Sequence, residues 1–304
     1  MRISQIYPKV AFFICLLFSS STTQANSVAC FTSNMGQFCI ELFEIQTPVT
    51  TANFLSYIHS DAYTNGIIHR SMPGFVIQGG GFKIVNGVSG DSLVAVNTFS
   101  PIVNEFKISN TRGTVAMAKL PDNPNSATSQ WFVNLADNSA NLDHQNGGFT
   151  VFGRVIFEGM AVFDAIEKLP VRNLGGNLTN APLKDFDGVH AALSNLVKID
   201  RVEVTDATGI FSDGILSFAV DIGSGQMYTV NLRLISDKPD YIFQLDATSV
   251  AALTVSPSNI ATFSLGNSQL HIPSVMIGAS TTVKNVLMRL SDPGSYTFTL
   301  VSYE

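Results

Sequence analysis

"IIHRSMPGFVIQGGGF", Ile67 to Phe82, sets one arginine ahead of a Pro-Gly break, follows it with a short apolar run and ends on three glycines. The run from Gly74 to Gln78 reads as a strand, which leaves Arg70 as a lone cation beside an apolar strand. Glycine costs backbone entropy, so three in succession imply close backbone approach or dihedrals that other residues avoid.

The same texture continues on both sides. Thr114–Ala118, Gln130–Val133 and Thr150–Ile156 are short apolar runs separated by Gly, Asn, Pro and Ser turns, the pattern of a sheet or barrel rather than of βαβ units. Val28–Phe43 reads as strand, turn, strand. "TPVTTANFLSYIHS" offers Thr47 as N-cap and Pro48 at the first helical position, and Val49, Ala52, Leu55 and Ile58 fall at helical spacing. "EGMAVFDAIEKL" predicts a second helix through Met160, Phe163, Ile166 and Leu169. A polar loop from Pro170 to the neighbourhood of Asn195 precedes a last strand, "LVKIDRVEV".

Of the 304 residues, 45% are apolar and 13% charged, which predicts a packed core and argues against extensive disorder. At the N-terminus, Arg2 and Lys9 precede the apolar stretch Val10–Phe18 and then "SSSTTQAN". This reads as a secretory signal over residues 1–25, cut after Ala25, and the apolar segment is far short of the roughly 20 residues that span a bilayer. Export is expected, to the periplasm first and to the medium as the other option, with no membrane span once the signal is gone. Removing residues 1–25 takes two cations and no acid, moving the net charge from −6 to −8. Such a balance argues against nucleic acid and anionic membrane as partners. The remaining cysteines, Cys30 and Cys39, flank "FTSNMGQF"; pairing Ser33 with Gly36 puts them directly opposite each other, and an oxidising compartment predicts a cross-strand disulfide.

Beyond Asp206 the helix signal fades and Val, Leu, Phe and Tyr alternate with polar residues. An internal repeat appears there at an offset of 55: "VDIG" (220–223) matches "VMIG" (275–278), and "SDKPDYIFQL" (236–245) matches "SDPGSYTFTL" (291–300). Residues 207–304 therefore read as a smaller all-β domain of two similar hairpin units that bury their apolar faces together, following a domain over residues 26–206. No catalytic cluster is visible in this tail, and His271 lies in an alternating strand.

Several chemistries fail on sequence. His59, His69, His144 and His190 never pair at zinc spacing and no Cys-x-x-Cys exists. There is no Gly-x-Ser-x-Gly elbow, and Gly79–Gly81 lacks the later glycine and following helix of a nucleotide loop. What remains is "HRSMPGFVIQGGGF" with "TRGTVAMA" (111–118), "SATSQWFVNLADN" (126–138), "NLDH" (141–144) and "FTVFGRV" (149–155). This ordered set resembles the cyclophilins, peptidyl-prolyl cis-trans isomerases of the exported bacterial kind, over Val28 to Val204. The resemblance implies a mainly β fold, an eight-stranded antiparallel barrel capped by two helices, and an enzyme that needs no cofactor or metal and acts on proline-containing polypeptides.

By the same resemblance Arg70 and Gln78 are catalytic. Rotation about an X–Pro bond faces a barrier of about 20 kcal/mol, and a guanidinium aimed at the twisted, pyramidal nitrogen meets a lone pair exposed only in the transition state. Phe75, Val76, Phe132 and Leu142 form the proline slot, and Ala118, Lys119, Gln130 and Phe149 complete the substrate contacts. Strand alternation puts Gln130 and Phe132 on one face and Trp131 on the other, in the core. The glycines are expected to turn the chain out of its strand and to keep side chains away from an extended peptide. Three positions depart from the family: Asn141 where cyclosporin-sensitive members carry tryptophan, Phe149 where many have histidine, and Lys119 where many have asparagine. Two other readings remain open, a non-catalytic binder of proline segments and an envelope interaction protein working through an unknown partner of the tail.

Overall fold

The computed structural model describes residues 27–88, 90–223, 225–253 and 260–304. The secretory signal expected at residues 1–25 lies outside them. The chain divides into two compact units, one spanning Val28–Thr205 and the other containing Asp206–Glu304.

In the first unit, strands β1 (Ser27–Ser33) and β2 (Gly36–Leu42) form a hairpin, and helix α1 (Pro48–His59) follows. Next come β3 (Arg70–Met72) and β4 (Val76–Gly79), then β5 (Phe82–Val85) and β6 (Ser92–Ala95), which form a two-stranded sheet of their own. The chain continues through β7 (Thr114–Met117), β8 (Trp131–Asn134), the single turn α2 (Ser139–Leu142), β9 (Val151–Ile156) and α3 (Met160–Glu167). A small ladder, β10 (Val171–Arg172) with β11 (Ala181–Pro182), precedes β12 (Ile199–Asp206). The main sheet runs β12-β1-β2-β9-β7-β8-β4-β3. Its two edges meet through backbone bonds, Ile68 N–H to the Val197 carbonyl (2.9 Å) and Ile199 N–H to the Gly66 carbonyl (2.8 Å), so the barrel closes just before β3.

Alternation fills the interior. Phe31 stacks on its cross-strand partner Phe38 (4.8 Å), and Trp131 lies against Phe31 at 5.5 Å, fully buried as its place in the strand requires. Helix α3 caps one side through Phe163, edge-on to Phe38 at 4.7 Å, and Phe54 of α1 packs on Phe152 at 4.7 Å. In the β1–β2 hairpin Ser33 opposes Gly36 and Cys30 opposes Cys39, and the two sulfurs are bonded.

Helix α1 differs from its sequence reading in two respects. Its buried face carries Thr50, Asn53, Phe54 and Tyr57, while Val49 is exposed and Leu55 only half-buried. Two of the polar members meet specific partners: Thr50 Oγ1 donates to Glu105, and Asn53 donates to the Thr128 carbonyl. The Thr47 hydroxyl donates backwards to Phe43 instead of capping the helix. Glu105 takes that role from a distant loop, accepting from the backbone of Val49 (3.3 Å) and Thr50 (2.8 Å).

The second unit comprises β13 (Gly209–Ser212), β14 (Ile215–Asp221), β15 (Met227–Ser236), β16 (Ile242–Leu253), β17 (Ala261–Ser264), β18 (Gln269–Gly278), β19 (Thr281–Asp292) and β20 (Thr297–Ser302). Each repeat is a meander of successive hairpins, β13–β16 and β17–β20. They join through β16 and β20, where Phe243 faces Phe298, its own counterpart 55 residues on. They join again through parallel pairs of matching kind, β13 with β18 and β14 with β17, closing a second barrel. Leu232, Ile272 and Met288 are among its buried core. No helix among the described residues is long and apolar enough to cross a membrane.

Candidate active site

Five strands bring a row of side chains abreast on the outer face of the first barrel. Arg70 pairs with Gln78, Gln78 with Phe132, Phe132 with Ala116, and Ala116 with Val151. Directly opposed residues share a face, so the register alone sets a cation, an amide and an aromatic ring side by side. The side chains complete a chain of contacts: Arg70 Nη1 donates to Gln78 Oε1 at 3.2 Å, and Gln78 Nε2 donates to Gln130 Oε1 at 2.7 Å. Arg70 is half-buried, and burial lowers its pKa from the ordinary guanidinium value. A guanidinium nonetheless stays charged at any physiological pH.

The apolar half of the site is one cluster. Val76, Ala116, Phe132, Leu142 and Val151 are buried and form its floor; Phe75, Ala118 and Phe149 are partly buried and form its rim. Phe132 and Phe149 meet edge-on at 5.8 Å. Lys119 stands at the same rim: its ammonium donates to the Asn146 and Gly148 carbonyls at 2.8 and 2.6 Å and lies 4.7 Å from the Phe149 ring centre. Burial pulls it down to about 8. Asn141 is exposed on α2, beside buried Leu142. Every predicted substrate contact thus gathers in this one region, while the Cys30–Cys39 bridge belongs to the β1–β2 hairpin.

Sequence reading missed what holds the floor in place. Asn110, fully buried, donates through its side chain to Asp143 (2.9 Å) and to the Phe149 carbonyl (3.0 Å), and accepts from Asn134. Asn138 donates to Asn134 Oδ1 (2.8 Å) and to the Phe75 carbonyl (2.9 Å). These amides tie Phe75, Phe149 and the turn bearing Leu142 into one unit. Their only sequence signal is a scatter of Asn and Asp in loops, which reads as ordinary turn chemistry.

The glycines have a further cause within the protein itself. A Cβ on Gly80 would lie 2.4 Å from the Ser129 carbonyl oxygen, and Gly80 has φ +79°. A Cβ on Gly79 would lie 3.0 Å from the Trp131 ring, and one on Gly81 would press on Gln130 and His69 at 3.1 Å. What side chains would crowd here is the protein's own β8 approach, the segment that delivers Gln130. The adjoining His69 is buried edge-on to Phe82 at 5.3 Å. Burial pushes its imidazole down to about 4, with the Arg70 charge acting in the same direction, so it is neutral near pH 7.

Comparison with known proteins bears on residues 28–192, which match the family model of the cyclophilin type peptidyl-prolyl cis-trans isomerases. A peptidyl-prolyl cis-trans isomerase of Acinetobacter baylyi is 39% identical over 181 residues, 58% of this chain and 92% of that protein. Peptidyl-prolyl cis-trans isomerase B of Escherichia coli is 39% identical over 143 residues, 45% of this chain and 82% of its own. Among solved structures, a Cryptosporidium parvum cyclophilin type peptidyl-prolyl cis-trans isomerase, crystallised with the dipeptide Ala-Pro, aligns at 23% identity and TM-score 0.42, covering 59% of this chain and 98% of that one.

Proposed function

Since the chain belongs to the cyclophilin type peptidyl-prolyl cis-trans isomerases and is thus an isomerase of X–Pro peptide bonds, we propose that it works on exported polypeptides and assists their folding outside the cytoplasm. The observation that carries the catalytic assignment is the row Arg70–Gln78–Phe132 across three adjacent strands. The apolar floor takes the proline ring, and Gln78 contacts the substrate carbonyl and backs the arginine. The Arg70 guanidinium donates to the prolyl nitrogen as amide resonance is lost. No bond to the protein forms; the barrier falls because the donor finds its full acceptor only in the twisted state. Phe75, Ala118, Lys119, Gln130 and Phe149 surround the extended segment on either side of the proline.

Export is supported by the basic, apolar and small-residue order of residues 1–25 and by the oxidised Cys30–Cys39 pair, a bond that persists in oxidising compartments. The test has two arms. The mature chain should accelerate cis-to-trans conversion of a chromogenic proline peptide in a protease-coupled assay, and protein recovered from the native host should begin at Asn26 in the periplasmic or extracellular fraction. An inactive, folded chain would leave a proline-segment binder; an intact N-terminus in the cytoplasmic fraction would sink the export reading.

A further inference from the structure

The second barrel holds two apolar pockets, and the internal repeat carries one onto the other. The first, about 120 Å³, is walled by Val220, Ile222, Leu245 and Tyr296. The second, about 290 Å³, is walled by Val275, Ile277, Leu300 and Tyr241. Each of these residues lies 55 positions from an identical residue in the other pocket. Tyrosine crosses over, so each pocket draws on both repeats, as a pseudo-twofold arrangement demands. An edge-on phenylalanine pair stands in each as well: Phe263 against Phe298 at 6.0 Å and 78°, Phe211 against Phe243 at 5.8 Å and 75°. Phe298 and Phe243 are 55 residues apart, whereas their partners Phe263 and Phe211 are 52 apart, each on the first strand of its repeat.

The mouths separate these pockets from ordinary core. Ile277 is 42% exposed and Tyr241 49%, and Leu265 at the first pocket is 43% exposed. At such positions packing imposes little, yet the isoleucine and tyrosine are the same in both repeats. Ile222 and Tyr296, their counterparts at the first pocket, are half-buried; exposed apolar groups at the mouth of an apolar hollow are the features of a binding surface.

We propose that each pocket accepts one aromatic or branched aliphatic side chain of an unfolded polypeptide, which makes the second barrel a bivalent holder of apolar segments. Size favours this occupant at the first pocket, since a cavity on the order of 150 Å³ takes a benzene-sized group; the second, at about 290 Å³, has room for the largest aromatic side chains, while drug-sized or lipid ligands occupy roughly 300–1,000 Å³. Charge favours it too. Among the described residues no lysine or arginine lines either pocket to receive a carboxylate or phosphate, and residues 207–304 carry seven acidic side chains against four basic ones. Anionic lipids and fatty acids are thereby disfavoured, and neutral or cationic peptide segments favoured. Two pockets on one rigid barrel make the second contact intramolecular once the first has formed. The inference stands on the second barrel alone, and its test reads binding rather than turnover.

The probe is a short, proline-free, Lys/Ser/Gly-rich peptide with two spaced phenylalanines, one replaced by the photo-crosslinking p-benzoylphenylalanine. The mature full chain should bind it saturably, and adducts should map near residues 220–222 and 296 and near 275–277 and 241. Ile222→Asp and Ile277→Asp should each remove adducts at their own pocket and weaken binding about 100-fold as avidity is lost, and the double variant should abolish saturable binding. Arg70→Ala should leave this binding unchanged. Absence of saturable binding, or adducts confined to the isomerase unit, would overturn the proposal. Displacement of the peptide by decanoate or by phosphatidylcholine vesicles would overturn its occupant. Should the aspartate variants fail to fold, the adduct map of the unaltered chain decides alone.

Discussion

Arg70→Ala removes the one cation in the row of side chains at the candidate site. Its guanidinium is half-buried and anchored at 3.2 Å to Gln78, which is itself held at 2.7 Å by Gln130. A donor fixed in this way pays no reorganisation when charge shifts onto the prolyl nitrogen, and removal of such a donor lowers kcat by about 100- to 1,000-fold, roughly 2.7–4 kcal/mol. Peptide binding rests mainly on the apolar floor around Phe132, so KM should change little. Gln78→Leu leaves the guanidinium in place without its anchor. The anchoring bond is long, so its loss belongs near the low end of the roughly 1.5–3 kcal/mol range for bonds to charged groups, about tenfold in kcat. Arg70→Lys should remain poor because an ammonium lacks the planar fork.

The assay is protease-coupled isomerisation of a proline peptide in the cold, where the uncatalysed reaction takes minutes, with circular dichroism to confirm folding. Phe132→Ala supplies the contrast: it empties the floor and should raise KM. Full activity in folded Arg70→Ala would refute the mechanism. Equal losses in kcat for Gln78→Leu and Arg70→Ala would show that the Gln78 contact to the substrate carbonyl outweighs its anchoring of the arginine.

Three further outcomes follow from the first barrel. Reducing Cys30–Cys39, which are nine residues apart, should cost about 2.5 kcal/mol by chain entropy; thermal melting with and without reductant measures it, and an unchanged midpoint would contradict it. Asn138→Ala strands Asn134 Oδ1 and removes one of the two donors to the Phe75 carbonyl, which keeps the Leu135 N–H, so it should destabilise the unit by roughly 1–3 kcal/mol and raise KM as Phe75 loosens; urea titration and kinetics check both. His69 has its folded pKa depressed to about 4 from an ordinary value near 6.5. The unfolded chain therefore binds the extra proton between those values, and stability should fall as pH drops from about 6.5 towards 4, by up to about 3 kcal/mol. A His69→Gln variant should lack that slope, and an identical slope would assign it elsewhere.

What could be read from sequence was whatever depends on local period. Alternation sorted Trp131 into the core and Phe132 onto the site, and the hairpin count set Cys30 against Cys39. Where a residue's role is fixed by a distant partner, the period misleads. Thr50 and Asn53 are polar yet buried because Glu105 and the Thr128 carbonyl meet them, while Val49, apolar and at helical spacing, faces outward. The asparagines under the floor were illegible for the same reason: each amide is ordinary in its loop and acquires meaning only beside Asp143, Phe75 or Phe149.

The glycines show how a correct local inference can miss a cause. Three in a row do signal close approach, and the φ of +79° at Gly80 confirms the unusual dihedral. The body that approaches, however, is the Ser129 carbonyl on the way into β8, a contact that joins residues far apart in the chain. It follows that Gly80 governs the site through Gln130. A side chain at Gly80 would push the Ser129–Trp131 segment aside and, through the Gln130–Gln78 bond, loosen Arg70. The triglycine is thus part of the arginine's support, although no glycine atom needs to touch a substrate.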